Sequence, residues 1–227
     1  MDDITSGALV SDPETRRVAR RLYERTRELP LICPHGHVDP ALLAEDAPFP
    51  EPSSLIVTPD HYLLRMLYSQ GIPMESLGVP GRDGSPSRVA PREAWRLFAA
   101  NYFLFRGTPS RAWLDYELHE VFAVSRRLAS DTADRIYDEI SEKLQSPEFR
   151  PRALFERFRI ETLATTDRAA DPLAHHAKLR ASTLKGRVIP TFRPDALFSI
   201  AGGDWRGELE LLSDAVGGAI TRFDDFL

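Results

Sequence analysis

Two histidines separated by one glycine, His35-Gly36-His37, stand directly after the apolar run Leu31-Ile32-Cys33 and its closing Pro34. The run suits a short buried strand, and on an extended segment residues i and i+2 point to the same side. Both imidazoles can then reach one divalent ion, while Gly36 lets the backbone pass close by. An H-x-H alone is a weak metal motif. At the C-terminal end of a first barrel strand it gains weight, because active sites of such barrels gather at that face. Catalytic zinc usually takes three protein ligands, so this chain alone is expected to bind metal weakly or not at all.

Other residues carry chemistry of different kinds. His61-Tyr62 falls in the first turn of a helix that Thr58-Pro59 is predicted to open. The positive end of a helix disfavours imidazolium, which biases His61 toward a neutral ring able to accept a proton or bond a hydroxyl. Tyr62 offers a phenol as donor or relay. Periodicity alone favours a surface histidine beside a packing tyrosine. Arg193, in PTFRPD, follows a predicted strand, with Pro190 and Pro194 fixing the backbone around it. A guanidinium held there can clamp a carboxylate through two parallel hydrogen bonds; an ordinary surface salt bridge is the competing reading. Asp167 reads first as a cap for the next segment and second as a group orienting a catalytic side chain. His119 reads as structural, and His175 and His176 as crossover-helix residues facing the barrel's outside.

The elements that must position these groups fall into two styles. Residues 1–37 carry a helix, signalled by Ser11-Asp12-Pro13-Glu14 and the spacing of Val18, Leu22, Thr26 and Leu29, and then the first strand. Residues 38–158 are almost entirely helical. Trp95, Phe98, Tyr102 and Phe105 recur at helical spacing, Thr108-Pro109 restarts a helix bearing Trp113, Leu114 and Leu118, and Ser130-Asp131 precedes one bearing Ile136, Tyr137, Ile140 and Leu144. These aromatics read as core. Residues 159–227 turn to strand, helix, strand: Ile160 to Thr166, a helix opened by Asp171-Pro172 and ending near Gly186, then Arg187 to Phe192, and a last helix from Trp205 to Val216. The fold class is α/β: about three parallel strands of a partial (β/α)8 TIM-type barrel, with a large helical insertion after the first strand. Three strands cannot close such a barrel, so exposed sheet edges are expected.

In that order the chain resembles the uronate isomerase (glucuronate isomerase) family of the amidohydrolase superfamily. LICPHGHVDP, TPDHYLLRML, ETLATTD and VIPTFRPDAL carry the resemblance and, with the helical insertion, cover nearly all of the chain. It implies interconversion of D-glucuronate with D-fructuronate, and of D-galacturonate with D-tagaturonate, in hexuronate catabolism. It makes His35 and His37 metal ligands, with zinc in the full-length protein. It makes His61 and Tyr62 a substrate-binding and catalytic proton-transfer pair, and Arg193 the clamp on the substrate carboxylate. A histidine from a middle strand and an aspartate and arginine near the last complete the family's site; the chain stops before them, and this stretch alone is expected to be inactive. A metal-dependent hydrolase on the same barrel is the nearest rival, although Arg193 and His61-Tyr62 have no evident task in hydrolysing an uncharged amide or ester. A non-catalytic helical interaction module is the other.

Bulk properties agree with a folded enzyme. The 227 residues are 42% hydrophobic and 28% charged, which argues against disorder and coiled coil. A net charge of -5 with mixed signs offers no basic stripe for nucleic acid and no polybasic tail for a membrane. The acidic start and the absence of a long apolar run suggest a cytoplasmic protein. Cys33 is the only cysteine, reads as a small buried hydrophobe, and fits a reducing compartment. The sequence leaves a homo-oligomer open.

Overall fold

Asp12-Pro13, Asp39-Pro40 and Thr108-Pro109 each set a side-chain oxygen before a proline that lacks an N–H, and each starts a helix. The computed structural model describes residues 12–81 and 83–226. In chain order the elements are α1 (Pro13–Thr26), β1 (Leu31–Cys33), α2 (Pro40–Glu45), α3 (His61–Ser69), α4 (Pro91–Ala100), α5 (Pro109–Tyr116), α6 (Ala133–Leu144), α7 (Pro151–Arg157), β2 (Ile160–Arg168), α8 (Ala174–Arg180), β3 (Arg187–Arg193), α9 (Asp195–Phe198), α10 (Trp205–Val216) and α11 (Phe223–Phe226), with short helical turns between some of them. The described residues form two compact units, one within residues 12–28 and 48–150, the other within residues 29–47 and 151–226. Asp12 caps α1 by accepting from the Thr15 amide at 2.7 Å; Ser11 of the predicted capping box lies outside the described residues.

The first unit is helical. Trp95, Phe98, Tyr102 and Phe105 are buried together with Leu63, Leu67, Ile136, Ile140 and Leu144, as their spacing predicts. Successive rings meet at tilted or edge-on angles, with centroids 5.6 Å apart for Trp95–Phe98 and 5.5 Å for Phe98–Tyr102, the geometry their quadrupoles favour. Each polar handle finds a partner: the Trp95 indole donates to the Ala133 carbonyl at 2.9 Å, and the Tyr102 hydroxyl to Asp115 at 2.9 Å. Trp113 departs from the expected core, standing 73% exposed on α5; its neighbour Leu114 takes the buried position instead. Helix α6 begins at Ala133, two residues beyond Ser130-Asp131.

The second unit holds the sheet. Its strand order is β1-β2-β3 with both pairings parallel, an open portion of a (β/α)8-type barrel. Register runs from Leu31↔Ile160 to Cys33↔Leu163 on one side of β2, and from Thr162↔Arg187 to Arg168↔Arg193 on the other. Leu163 packs among Leu43 and Ala44 of α2, Phe155 of α7 and Leu179 of α8, with Cys33 half-buried at the margin. The expectation of a buried first strand fails: Leu31 is 49% and Ile32 65% exposed. Full burial of a barrel strand needs a neighbour on each edge and cover on both faces, and β1 pairs with β2 alone among the described residues.

The connection from β2 to β3 also differs from its expected form. Asp171 closes a turn by accepting from the Arg168 amide at 2.8 Å, Leu173 takes a left-handed φ of 51°, and α8 starts only at Ala174. Gly186 sits at φ +105° beside the Ile160 carbonyl, where a Cβ would come within 2.9 Å of that oxygen. Only glycine suits both demands.

Replacing Trp95 by alanine is expected to destabilise the protein by about 3–5 kcal/mol, read as a lowered urea midpoint. Trp95→Phe, which keeps a ring but strips the Ala133 carbonyl of its donor, should cost less.

Candidate functional site

Beyond Cys33 the chain leaves the sheet ladder through Pro34, which has no N–H to give it. His35 and His37 follow with both imidazoles exposed, their Nε2 atoms 2.9 Å apart and their ring planes at 83°. Two nitrogens at that separation both lie within reach of one ion at bond lengths of about 2.0–2.1 Å, so the pair fits a divalent metal. No cluster of three or more His, Cys, Asp or Glu side chains that could hold a metal is present among the described residues. The pair supplies part of a coordination sphere.

Arg193 ends β3 at the same, C-terminal, end of the sheet, on the opposite edge strand. β1 and β3 flank β2, and the Thr166 hydroxyl bond to the Gly36 carbonyl brings the loop between the histidines to the level of Thr166, two residues short of Arg168 and its register partner Arg193. Its Nε donates to Asp195 at 3.1 Å, and that hydrogen bond and charge hold the Asp195 carboxyl below its ordinary range. Asp195 is well exposed, and an exposed pair of this kind contributes about 0–1 kcal/mol; an incoming carboxylate can displace it. Arg168, next to Arg193 in register, is differently placed. It pairs with Glu208, a buried carboxylate of α10, and is thereby committed to the fold.

Asp167 and His176 reverse their expected roles. Asp167 caps nothing: it lies within β2, buried, and its Oδ2 accepts from the Thr165 hydroxyl at 2.6 Å. His176, read as facing outward, is 4% exposed and sets Nε2 2.8 Å from the same hydroxyl. The hydroxyl has one proton and gives it to the carboxylate, so His176 Nε2 must be the donor to Thr165. His176 Nδ1 is buried and without a hydrogen-bond partner among the described residues. It stands in the wall of a cavity of about 530 Å³ that His37, Asp39, Thr166 and Asp167 also line. Sequence reasoning missed this group because a histidine's face on a short helix follows from where the helix starts, and α8 starts at Ala174, later than Asp171-Pro172 suggested.

His61 and Tyr62 belong to the helical unit. Thr58 and Pro59 do not start their helix. A π-helical turn, Ser53–Val57, runs into Thr58, whose hydroxyl donates to the Leu77 carbonyl at 3.2 Å. Asp60 is the N-cap, accepting from the Tyr62 and Leu63 amides at 2.8 and 3.2 Å. His61 and Tyr62 are both exposed, their ring centroids 4.2 Å apart at a tilt of 34°. Burial, and after it the charge of Asp60, push the carboxyl of half-buried Glu117 above its ordinary range. Glu117 opens a second π-helical turn, Glu117–Val121, on which His119 contacts Glu120 at 2.9 Å. Such turns concentrate at functional sites.

Comparisons with known proteins agree with one another. The model of the glucuronate isomerase family matches residues 13–227. Uronate isomerases from Phenylobacterium zucineum and Rhizorhabdus wittichii are 51% and 52% identical over 217 residues, 96% of this chain and 45% of each relative. The crystal structure of glucuronate isomerase from Caulobacter crescentus is similar with a TM-score of 0.91 at 44% identity, over 96% of this chain and 45% of that one. Uronate isomerase from Thermotoga maritima gives 0.83 at 27% identity, over 92% and 44%. The chain thus spans somewhat under half the length of the curated relatives it matches.

A carboxyl whose pKa rises on folding contributes stability below its unfolded value, about 4.3 for glutamate, and loses it as pH climbs through the folded value. Ionised Glu117 therefore costs stability at pH 7. Glu117→Gln is expected to raise the melting temperature at pH 7, with the gain fading below about pH 4; a gain constant across thermal unfolding from pH 4 to 7 would mean that charge is not its origin.

Proposed function

This chain belongs to the glucuronate isomerase family, and from that premise we propose that the whole protein interconverts D-glucuronate with D-fructuronate, and D-galacturonate with D-tagaturonate, by proton transfer through an enediol. The observation that carries the proposal is Arg193: a guanidinium at the C-terminal end of β3, held by an exposed carboxylate two residues on and set at the same end of the sheet as the converging His35 and His37. An open-chain hexuronate has its carboxylate at one end and its reacting carbonyl at the other, so a carboxylate clamp and a metal pair that face the same end of the sheet can serve its two ends.

The chemistry needs no net oxidation. A proton leaves C2 of the aldose and returns at C1, while another passes between the two oxygens. Arg193 holds the C6 carboxylate, replacing Asp195 as its partner, and so sets the register of the hydroxyls. Tyr62 moves a proton near C1 and C2, and His61, its ring neighbour, binds substrate and exchanges protons with it. His35 and His37 would hold a divalent ion, zinc by family, which would supply positive charge for the oxygen becoming negative during the transfer.

The substrate is a small acid, with no nucleic-acid or membrane partner. A cytoplasmic setting belongs to the same proposal; no helix among the described residues is long and apolar enough to cross a membrane.

Incubating the protein, at the full length of its relatives, with glucuronate should yield the ketose by NMR; an unchanged sugar would defeat the proposal. Arg193→Met should lose about 1.5–3 kcal/mol of transition-state binding, roughly 10- to 150-fold in kcat/KM, and unaltered kinetics would remove the clamp. For Tyr62→Phe the expected fall in kcat is about 10²–10⁴-fold; near-normal turnover would strip Tyr62 of its role.

A further inference from the structure

The histidine pair lies on a stretch of backbone that the sheet no longer holds. Pairing of β1 with β2 ends at Cys33↔Leu163, and Pro34 then removes the next amide. Gly36, between the two ligands, is the residue type with the greatest backbone freedom. Rotation about it would swing the two imidazoles apart.

One contact prevents this. The Thr166 hydroxyl donates to the Gly36 carbonyl at 2.7 Å, capturing the loop three residues after the ladder stops. Gly36 is seated so closely on β2 that a Cβ there would come within 2.8 Å of the Ala164 carbonyl oxygen and 2.9 Å of Leu163 Cδ1. Thr166 is itself fixed from both sides. It pairs with Thr191 of β3, and its neighbours Thr165 and Asp167 are locked to each other at 2.6 Å and, through Thr165, to His176 of α8 at 2.8 Å. A β-branched side chain in a strand has few χ1 choices, which makes this hydroxyl a rigid anchor.

We propose that Thr166 is a positioning residue for the His35/His37 pair: by holding the Gly36 carbonyl it keeps both imidazoles converged on one divalent ion. The inference rests on the reading of that pair as metal ligands.

The test uses the protein at the full length of its relatives, with Zn²⁺ affinity measured by competition against a chromophoric chelator and Co²⁺ absorption as the report of ligand geometry. Thr166→Val keeps the shape and removes the hydroxyl; it should weaken Zn²⁺ binding about 10- to 100-fold and alter the Co²⁺ spectrum. Thr166→Ser should restore both to near wild type, whereas a merely structural threonine would shift melting temperature without moving the spectrum. Unchanged Zn²⁺ affinity in Thr166→Val, or a serine variant as weak as the valine one, overturns the proposal. His35→Ala combined with His37→Ala separates the two levels. If that variant binds Zn²⁺ as wild type does, the metal reading fails and the inference with it; if it loses Zn²⁺ while Thr166→Val does not, only the positioning role fails.

Discussion

Strand β2 is hydrogen-bonded along both edges, and the second unit is organised by that double pairing. It fixes β1 and β3 in parallel register and so brings the C-terminal ends of all three strands to one end of the sheet. Parallel pairing matters here because it points residues far apart in sequence the same way: β2 and β3 end level with each other at Arg168 and Arg193, while β1 stops opposite Leu163 and hands over to the loop that carries His35 and His37. The alternation of β2 then divides the labour. Leu163, Thr165 and Asp167 turn toward the helices, where they meet Leu179 and His176 of α8, while Thr166 reaches the loop after β1.

Burial decides which charges serve the fold and which are left for chemistry. Arg168 and Arg193 are paired neighbours in the sheet, yet one is tied to a buried glutamate and the other to an exposed aspartate. Breaking a buried pair leaves an uncompensated charge, while an exposed pair exchanges at little cost. The same rule separates the histidines: His176 is enclosed and donates into a buried network, whereas His35 and His37 present their Nε2 atoms at the surface. In the helical unit, Tyr137 shows burial acting on a phenol, pushed up to about 12 by desolvation and then by the charge of Glu51.

Local chemistry was legible in the sequence where it depends on neighbours along the chain. The spacing of Trp95, Phe98, Tyr102 and Phe105 predicts a buried aromatic face, Thr108-Pro109 a helix start, and RVIPTF a strand, and the structure has each. The two imidazoles do converge, but on a stretch that bends at Pro34 and His35 beyond the end of β1, so the period of two along a strand does not account for it. A signal of the same kind as Thr108-Pro109 misleads at Thr58-Pro59, which predicts a helix start two residues ahead of the true N-cap, Asp60. The π-helical turn before Thr58 spends that hydroxyl on Leu77 and leaves Asp60 to cap the helix.

What the sequence by itself determined, then, is the order of the elements, the α/β class and the residues with chemistry to offer, because periodicity, capping and turn propensities act over a few residues. Only the tertiary structure decided which face Asp167 and His176 present, that Leu31 and Ile32 stay exposed, that Arg193 and not Arg168 keeps an exchangeable partner, and that Thr166 holds Gly36. These contacts run from two residues apart, as in Thr165–Asp167 and Arg193–Asp195, to 130, as in Thr166–Gly36, and in every case the placement of whole segments decides them. Which groups meet is settled by strand register and helix placement, and register is a property of pairs of segments that neither segment carries alone.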